Sequence, residues 1–375
     1  MKRRTLLTRG GAGVAGVAGL TGCLGEVDQS SESGGTSGTN GTNGTNESTQ
    51  SSQSGQTLTV ATYSSFTGEG TAGNWLKSAF EADNPETTVE FRTPENGINE
   101  FIQRKSQGAP IDADLYVGLN TGELVRADQR LDESLFAAAS DRIEGVDTVK
   151  SDLDFDPDGR VVPYDTGYIS LVYDEDEVDE PATFDALLES EYENGLIAQN
   201  AQQSDPGRAF LLWTINEYGA DGYLGYWSQL VDNGVQILSD WESAYNAYTN
   251  EEAPMVVSYS TDQVYYHGEG VDISRHQVGF LNDQGYANPE GMAQFVDSDN
   301  PELAREFMSF MLSSEAQAEI ATRNVQFPAV EGVDPGGDFG EYALEPPEAV
   351  TFSYDELAGT VDGWIDDWAR QVVSN

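Results

Sequence analysis

The sequence contains very little cysteine and histidine, and these shortages exclude several kinds of site. Cys23 is the one cysteine among 375 residues, so neither disulfides nor a cysteine-ligated zinc cluster can hold the fold together. Two histidines and no other thiol leave few candidates for a nucleophile and its base. The motifs of serine hydrolases, zinc proteases and phosphate-binding glycine loops do not occur. We therefore expect neither an enzyme nor a protein with a metal or an organic cofactor.

Positive charge is also scarce. The chain has 18 Lys and Arg residues against 65 Asp and Glu residues, which gives a net charge of −47 at pH 7. Such a charge repels phosphate backbones and excludes nucleic acid as a general partner. A surface rich in carboxylates and poor in lysine resembles the surfaces of proteins from extreme halophiles. A disordered acidic chain is excluded, because 38% of the residues are hydrophobic and 10% are aromatic.

The apolar run near the N-terminus, residues 10–20, is too short to span a bilayer stably. It follows Lys2-Arg3-Arg4 and precedes Leu20-Thr21-Gly22-Cys23, and together these features predict an export signal over residues 1–22. The paired arginines resemble the signals of twin-arginine (Tat) export. The segment ending at Cys23 resembles the lipobox of secreted lipoproteins, in which the cysteine thiol carries a lipid. We therefore expect a lipid anchor at Cys23 and a position on the outer face of the cell membrane.

Residues 23–56 consist almost entirely of small and polar residues without apolar periodicity. This composition predicts a flexible linker between the anchor and a folded part. Triplets beginning at Asn40, Asn43 and Asn46 match the acceptor pattern for N-glycosylation. Low-complexity composition generates such triplets by chance, so both glycosylated and unmodified forms stay open.

From residue 57 onward, strand patterns and helix patterns alternate. Strands are predicted at 58–63, 89–92 and 113–119, and helices at 74–81, 98–107, 241–248, from Asn300-Pro301 onward and at 354–373. Alternation of this kind predicts an α/β fold with a largely parallel sheet. Ligands of such sheets bind at the carboxyl ends of the strands, which places Tyr63 and Ser64 near a cleft.

Two long extended stretches, 161–173 and 255–261, flank a further α/β segment. We interpret them as two strands that cross between lobes, so that the chain leaves the first lobe and later returns. The expected organisation is lobe 1 at 57–163, lobe 2 at 164–258, and a return to lobe 1 with C-terminal helices at 259–375.

Several segments carry a resemblance to a known class of proteins. They are Thr62-Tyr63-Ser64-Ser65-Phe66, Val162-Pro163-Tyr164-Asp165-Thr166-Gly167-Tyr168, Ser204-Asp205-Pro206-Gly207, Trp241-Glu242-Ser243-Ala244-Tyr245 and Val257-Ser258-Tyr259-Ser260-Thr261. Together they resemble the type II solute-binding proteins of ABC importers, a class with thiamine-binding and iron-binding members, and most closely the thiamine-binding members. The resemblance covers nearly all of the chain after residue 57. It implies two lobes joined by a hinge of two crossing strands, in a monomeric receptor that delivers its solute to a permease with a separate ATPase subunit.

The resemblance also implies a site between the lobes for thiamine or a related small cationic heterocycle. The matching positions are Tyr63, Ser204, Trp241, Tyr259 and Tyr265, with Ser64 where the family has an Asp. The chemistry is consistent with this set, because the thiazolium is a permanent cation and the aminopyrimidine is a flat ring. Both suit the faces of aromatic side chains.

Two further candidates have alternative roles. Asp165 either balances the charge of a cationic ligand or pairs with a donor at the hinge. Gly207 lies in a segment that predicts the start of a helix, where free N–H groups can bind a phosphate ester. In the alternative, Asp205 simply caps that helix.

Trp241, Tyr245 and Tyr248 follow a helical spacing that is also typical of a packing stripe. Tyr265 and Tyr266 resemble the paired tyrosine ligands of ferric-binding relatives, so a ferric receptor of the same fold is the alternative function.

Two further positions depart from the family pattern. Tryptophans of the family are replaced here by Gly70 and Val325, and Trp75 and Phe327 are the aromatic residues available to compensate.

Overall fold

A computed structural model describes residues 55–268 and 270–373. The predicted export signal, Cys23 and nearly all of the predicted linker lie outside these residues. The strands are β1 Gln56–Ala61, β2 Thr87–Arg92, β3 Leu115–Leu119, β4 Val161–Tyr173, β5 Leu196–Gln199, β6 Gln236–Leu238, β7 Met255–Tyr259, β8 Gln277–Gly279, β9 Gln284–Gln294, β10 Phe327–Pro328 and β11 Glu348–Val350. The helices are α1 Ala72–Asp83, α2 Ile98–Ser106, α3 Thr121–Arg130, α4 Asp205–Asp232, α5 Trp241–Thr249, α6 Pro301–Met311, α7 Ser314–Asn324, α8 Gly337–Tyr342, α9 Tyr354–Leu357 and α10 Val361–Trp368. None of these helices is long and apolar enough to cross a membrane.

The main path of the sheet has the strand order β2-β1-β3-β9-β4-β7-β5-β6. Strands β1, β2 and β3 are parallel to one another, and so are β5, β6 and β7. Between these two parallel groups lie β9 and β4, which pair antiparallel to each other and to their outer neighbours. The predicted α/β class is confirmed, but the sheet is mixed rather than largely parallel, because β9 and β4 pair antiparallel with each other and with β3 and β7.

The two long strands at the middle connect the parallel groups. The first part of β4 pairs with β9, and its last part, from Ile169 onward, pairs with β7. The far end of β9 pairs with β3, where Gln294 lies opposite Leu115. The sequence places the second crossing at 255–261, but β7 at that position pairs with β5 and with the end of β4. The strand that runs along β4 and reaches β3 is β9.

The hydrophobic side chains form separate clusters around these two strand groups, within one contiguous unit of the described residues. One cluster surrounds α4 and contains Trp213, Trp227 and Trp368. Another packs α1 and α6 against β1, with Phe80 and Phe307 in edge-to-face contact at 5.0 Å. Aromatic contacts of this kind add to the free energy gained by burying apolar surface.

The predicted C-terminal helix is interrupted. It divides into α9, α10 and a π-helical turn at Ala369–Val373. Gly359, in the connection between α9 and α10, has a φ of 79°, a left-handed conformation that ends a helix.

Candidate ligand-binding site

Aromatic and polar residues meet at the carboxyl ends of several strands. Tyr63 follows β1, Asn120 follows β3, and Asp205 begins α4 after β5. Asn120 Nδ2 donates a hydrogen bond to Asp205 Oδ2 at 3.3 Å, which brings the end of β3 to the start of α4. Tyr259 ends β7. Its ring packs against Gly167 of β4, two residues after Asp165. Burial, and then the carboxyls of Glu290 and Asp205, raise its pKa.

Glu290 of β9 accepts two hydrogen bonds through one oxygen. Tyr63 donates to Glu290 Oε2 at 2.9 Å, and Tyr164 of β4 donates to the same atom at 2.6 Å. Tyr63 also lies close to the backbone of Gly118, where a Cβ atom would come within 2.5 Å of its ring. Gly118 has a φ of 98°, so glycine is required here for both conformation and space.

Asp165 is the second acidic residue of the site and is fully buried. Asn324 Nδ2 donates to Asp165 Oδ2 at 2.8 Å and lies 3.0 Å from the Tyr63 hydroxyl, so it links the two acidic residues through Tyr63. The other carboxylate oxygen, Asp165 Oδ1, is buried without a hydrogen-bond partner. Val325 follows Asn324 with a φ of 55°, a strained conformation for a β-branched residue.

The site concentrates acidic side chains whose pKa values are raised. Burial, and then the charge of Glu290, raises the pKa of Asp165 well above its ordinary value. Burial raises the pKa of Glu290 to about 7, with a further contribution from Asp205, while hydrogen bonds from the tyrosines act in the opposite direction. Burial and then Asp205 raise the pKa of Glu123, at the start of α3, to about 8. Arg208 supplies one positive charge and donates to Asp205 Oδ1 at 2.8 Å.

Trp241 contacts strand β7 next to Tyr259. Trp241 begins α5, and its Nε1 donates to Ser258 Oγ at 3.0 Å, one residue before Tyr259. The Trp241 side chain remains 37% exposed, whereas Tyr259 is half-buried. Gly167 of β4 makes room for Tyr259, because a Cβ atom at this position would lie 2.7 Å from the tyrosine ring.

Trp241 is the outer member of a column of stacked rings. Its ring lies 5.0 Å from that of Tyr245, which lies 5.8 Å from Tyr266, which in turn stacks on His276 at 4.0 Å. Buried Asp262 fixes the inner part, since Tyr245 donates to one carboxylate oxygen at 2.6 Å and His276 Nδ1 lies 2.8 Å from the other. The column packs against one face of Trp241.

The other positions predicted near the start of α4 have local structural roles. Ser204 is the N-cap residue and is buried, without a side-chain capping bond. Asp205 is the first helical residue rather than the cap, and its carboxylate is engaged by Asn120 and Arg208. Gly207 packs on β5 so closely that a Cβ atom would come within 2.5 Å of the Gln199 carbonyl oxygen.

Ser64 and Tyr265 lie toward solvent. Ser64 is exposed in a short 3-10 turn after β1, and Tyr265 is 60% exposed. The rings of Tyr265 and Tyr266 are 6.4 Å apart with planes inclined at 60°, and Tyr266 is held in the stacked column. Over residues 55–268 and 270–373, no cluster of three or more histidine, cysteine or carboxylate side chains is arranged for a metal ion.

The positions that depart from the family pattern have neighbours of their own. Gly70 has a φ of 90° in the turn before α1, and Val325 ends α7. Trp75 stacks on Phe310 of α6 at 6.2 Å, and Phe327 is buried among aromatic residues in β10. Both rings therefore belong to hydrophobic clusters beside the site.

A small, partly open pocket adjoins Asp205. It lies between the start of α3, the first turns of α4 and the middle of β9, and its lining includes Asn120, Asp205, Arg208 and Asn288. Asp205 thus faces both the pocket and the carboxylates around Tyr63. The pocket therefore adjoins the acidic group through Asp205, whereas Tyr63, Tyr259 and Trp241 do not line it.

Sequence reasoning missed Glu290, Tyr164 and Asn324 as members of the site. Glu290 lies between Pro289 and Gly291, a run that is typical of a turn rather than a central strand. Tyr164 belongs to a segment that carries the family resemblance, but its direction is set by pairing with β9. An isolated Asn at a helix end gives no signal of its own.

The sheet has two parallel strand groups joined by two long strands, and a polar site with aromatic rings lies at the strand ends. This arrangement is that of a receptor for a small solute. Residues 75–346 match the family described as bacterial extracellular solute-binding protein, and the chain belongs to this family. Its fold is the type II periplasmic-binding-protein fold.

Within this class, the chain is similar to proteins named as thiamine-binding. It is 31% identical over 320 residues to the thiamine-binding periplasmic protein of Escherichia coli strain K12, covering 84% of this chain and 93% of the relative. It is 30% identical over 316 residues to the thiamine-binding periplasmic protein of Salmonella typhimurium, with the same coverage. A solved structure of a periplasmic thiamin binding protein superposes with a TM-score of 0.72 at 29% identity, covering 84% of this chain and 96% of that one.

Proposed function

We propose that this protein is the extracytoplasmic solute-binding component of an ABC importer, and that its ligand is thiamine or a thiamine phosphate. The observation that carries the proposal is the site itself, where Tyr63, Tyr259 and exposed Trp241 accompany buried carboxyls. The names of the similar proteins support thiamine as the ligand, and they are names of binding proteins rather than enzymes.

The proposed receptor closes two lobes around its ligand, one built on β1, β2 and β3 and the other on β5, β6 and β7, with β4 and β9 as the connection. It then delivers the ligand to a membrane permease whose ATPase is a separate protein. Residues 1–22 direct export, Cys23 carries the lipid, and 23–56 link the anchor to the receptor. Closure occurs only to the extent that the ligand binds the closed state better than the open state.

The site residues suit both halves of thiamine. The exposed face of Trp241 provides a platform for a flat heterocycle, and its stacked support keeps that face in place. Each contact between a cation and an aromatic face contributes roughly 0.5–2 kcal/mol, and more where water is excluded. In about 1 M salt the Debye length falls to ~3 Å, so contacts inside a closed cleft retain more of their strength than exposed charges do.

The test is a titration of the purified full-length protein with thiamine, thiamine monophosphate and thiamine diphosphate, followed by calorimetry and tryptophan fluorescence in high salt. We expect saturable binding of at least one of the three compounds, and the same compound in mass spectra of material that co-purifies. Absence of saturable binding by all three would refute the thiamine assignment. Orange-red protein that binds ferric ion through tyrosinate would establish the iron-binding alternative instead.

A further inference from the structure

Asp165 and Glu290 lack positively charged partners. Among the residues that the structure describes, no Lys, Arg or His forms an ion pair or hydrogen bond with either carboxyl group. Their neighbours are the neutral groups of Tyr63, Tyr164 and Asn324. A buried carboxylate without a counter-charge is costly, so this arrangement needs a physical explanation.

The hydrogen bonds around Glu290 match an ionised carboxylate. Two phenol groups donate to the same oxygen, Oε2, and this oxygen offers the lone pairs that both donors need. The hydrogen bond that Tyr63 donates to Glu290 also polarises the ring of Tyr63, so that the face of the ring becomes more negative. An aromatic face that is polarised by a carboxylate attracts a cation more strongly than an isolated ring.

A purely structural role does not account for Asp165. Its Oδ1 atom has no partner when the group is ionised, and a proton on the same atom finds no acceptor either. Asn324 Nδ2 donates one hydrogen bond to Asp165 Oδ2 and the other to the Tyr63 hydroxyl, so neither reaches Oδ1. A nearby cation satisfies such an atom, because a charge needs neither a donor nor a lone pair in a fixed direction.

We propose that Asp165 and Glu290, together with the ring of Tyr63, form a cation subsite that selects permanently charged heterocycles over neutral ones of the same shape. This inference rests on the proposed function and names the group that binds the positive end of the ligand. Stacking on Trp241 accepts any flat ring, whereas the subsite depends on charge. The two contributions can therefore be separated by experiment.

The experiment compares two ligands that differ in charge and little else. Thiamine and its neutral isostere, in which a thiophene replaces the thiazolium ring, are titrated calorimetrically into the full-length protein and its Glu290→Gln and Asp165→Asn variants. The control is Glu242→Gln, which removes the same charge from an exposed position beside Trp241. Circular dichroism establishes that each variant is folded.

We expect the wild-type protein and Glu242→Gln to bind thiamine about tenfold or more tightly than the isostere. In Glu290→Gln and Asp165→Asn this preference falls to about threefold or less, while affinity for the isostere changes by less than about twofold. If folded Glu290→Gln retains the full preference, the subsite is refuted even though the protein binds thiamine. If the wild-type protein binds neither ligand, the proposed function fails, and this inference fails with it.

Discussion

Trp241 is held from two sides, by its hydrogen bond to Ser258 and by the ring of Tyr245. We expect Trp241→Ala to lower the affinity for thiamine by about 1–3 kcal/mol through loss of stacking, without lowering the melting temperature greatly. Calorimetric titration measures the first quantity and a thermal melt the second. Trp75→Ala is the matched control, because Trp75 stacks on Phe310 and should affect stability rather than affinity. An unchanged dissociation constant in Trp241→Ala would assign Trp241 to packing alone.

The raised pKa of Glu290, about 7, predicts a pH dependence of binding. A cationic ligand favours the ionised carboxyl group, so the affinity for thiamine should rise as pH increases from about 5.5 to about 8. The titratable groups around Glu290 are Tyr63, Tyr116, Tyr164, Tyr259, Asp165 and Asp205. Calorimetry across this range should show a smaller rise in Glu290→Gln than in the wild-type protein. Equal slopes would show that another group controls the effect.

The raised pKa of Glu290 has the opposite effect on the stability of the ligand-free protein, which should fall as pH rises. The folded-state pKa of Glu290 is above its ordinary value of 4.5, so the native state binds more protons and its stability falls as pH rises from about 4.5 to about 7. Glu290→Gln should therefore raise the free energy of unfolding of the ligand-free protein at pH 8 by on the order of 1–3 kcal/mol. Denaturant titrations at pH 8 and at about pH 4.5 provide the comparison, and the gain should be lost at the lower pH. A loss of stability at pH 8 would indicate that the ionised form is favoured in the fold.

Strand β4 carries Asp165, and Gly167 of the same strand leaves space for the ring of Tyr259. A Cβ atom at Gly167 would lie 2.4 Å from Gln326 Oε1 and 2.7 Å from the ring of Tyr259. Gly167→Ala should displace that ring and weaken thiamine binding by roughly tenfold or more, because overpacking costs about 1–3 kcal/mol. The control is Gly225→Ala, at an exposed helical position of α4 with free space around it, which should leave binding unchanged. Equal affinities in both variants would show that the position of Tyr259 is unimportant.

Some elements could be predicted from the sequence because their patterns are locally complete. The helices predicted at 74–81, 98–107 and 241–248 correspond to α1, α2 and α5, where apolar residues recur at helical spacing. Strand β9 could not be predicted, since Pro289 and Gly291 interrupt any alternation and its extended form depends on pairing with both β3 and β4. Glu290 was missed for the same reason. Its role at the site depends on contacts with residues more than a hundred positions away.

For the molecule as a whole, the net charge of −47 makes salt a stabilising factor. Raising KCl from about 0.1 M to about 1 M shortens the Debye length from about 10 Å to about 3 Å and weakens repulsion between surface carboxylates. We expect the melting temperature to rise steadily over this range. A neutral osmolyte at matched osmolality should have a smaller effect, and a melting temperature that does not depend on salt would contradict a halophilic surface.

Attachment to the membrane is also a property of the whole chain. If Cys23 carries the lipid, Cys23→Ser expressed with its own leader should move from the membrane fraction to the medium, because the hydrocarbon anchor is lost. Cell fractionation with immunodetection measures this distribution. Thiamine affinity of the released protein should equal that of the anchored form. Continued sedimentation of Cys23→Ser with membranes would point to another means of attachment.

The long strands β4 and β9 both connect the two parallel groups and carry Asp165 and Glu290. In a two-lobed receptor that closes about these strands, the two acids lie close to the hinge axis, where movement of the lobes displaces them little. Trp241 lies outside these strands, on α5, and moves with its lobe. The fold alone then sets the position of the acids, whereas the degree of closure sets the position of the tryptophan. Charge and stacking therefore respond differently to closure.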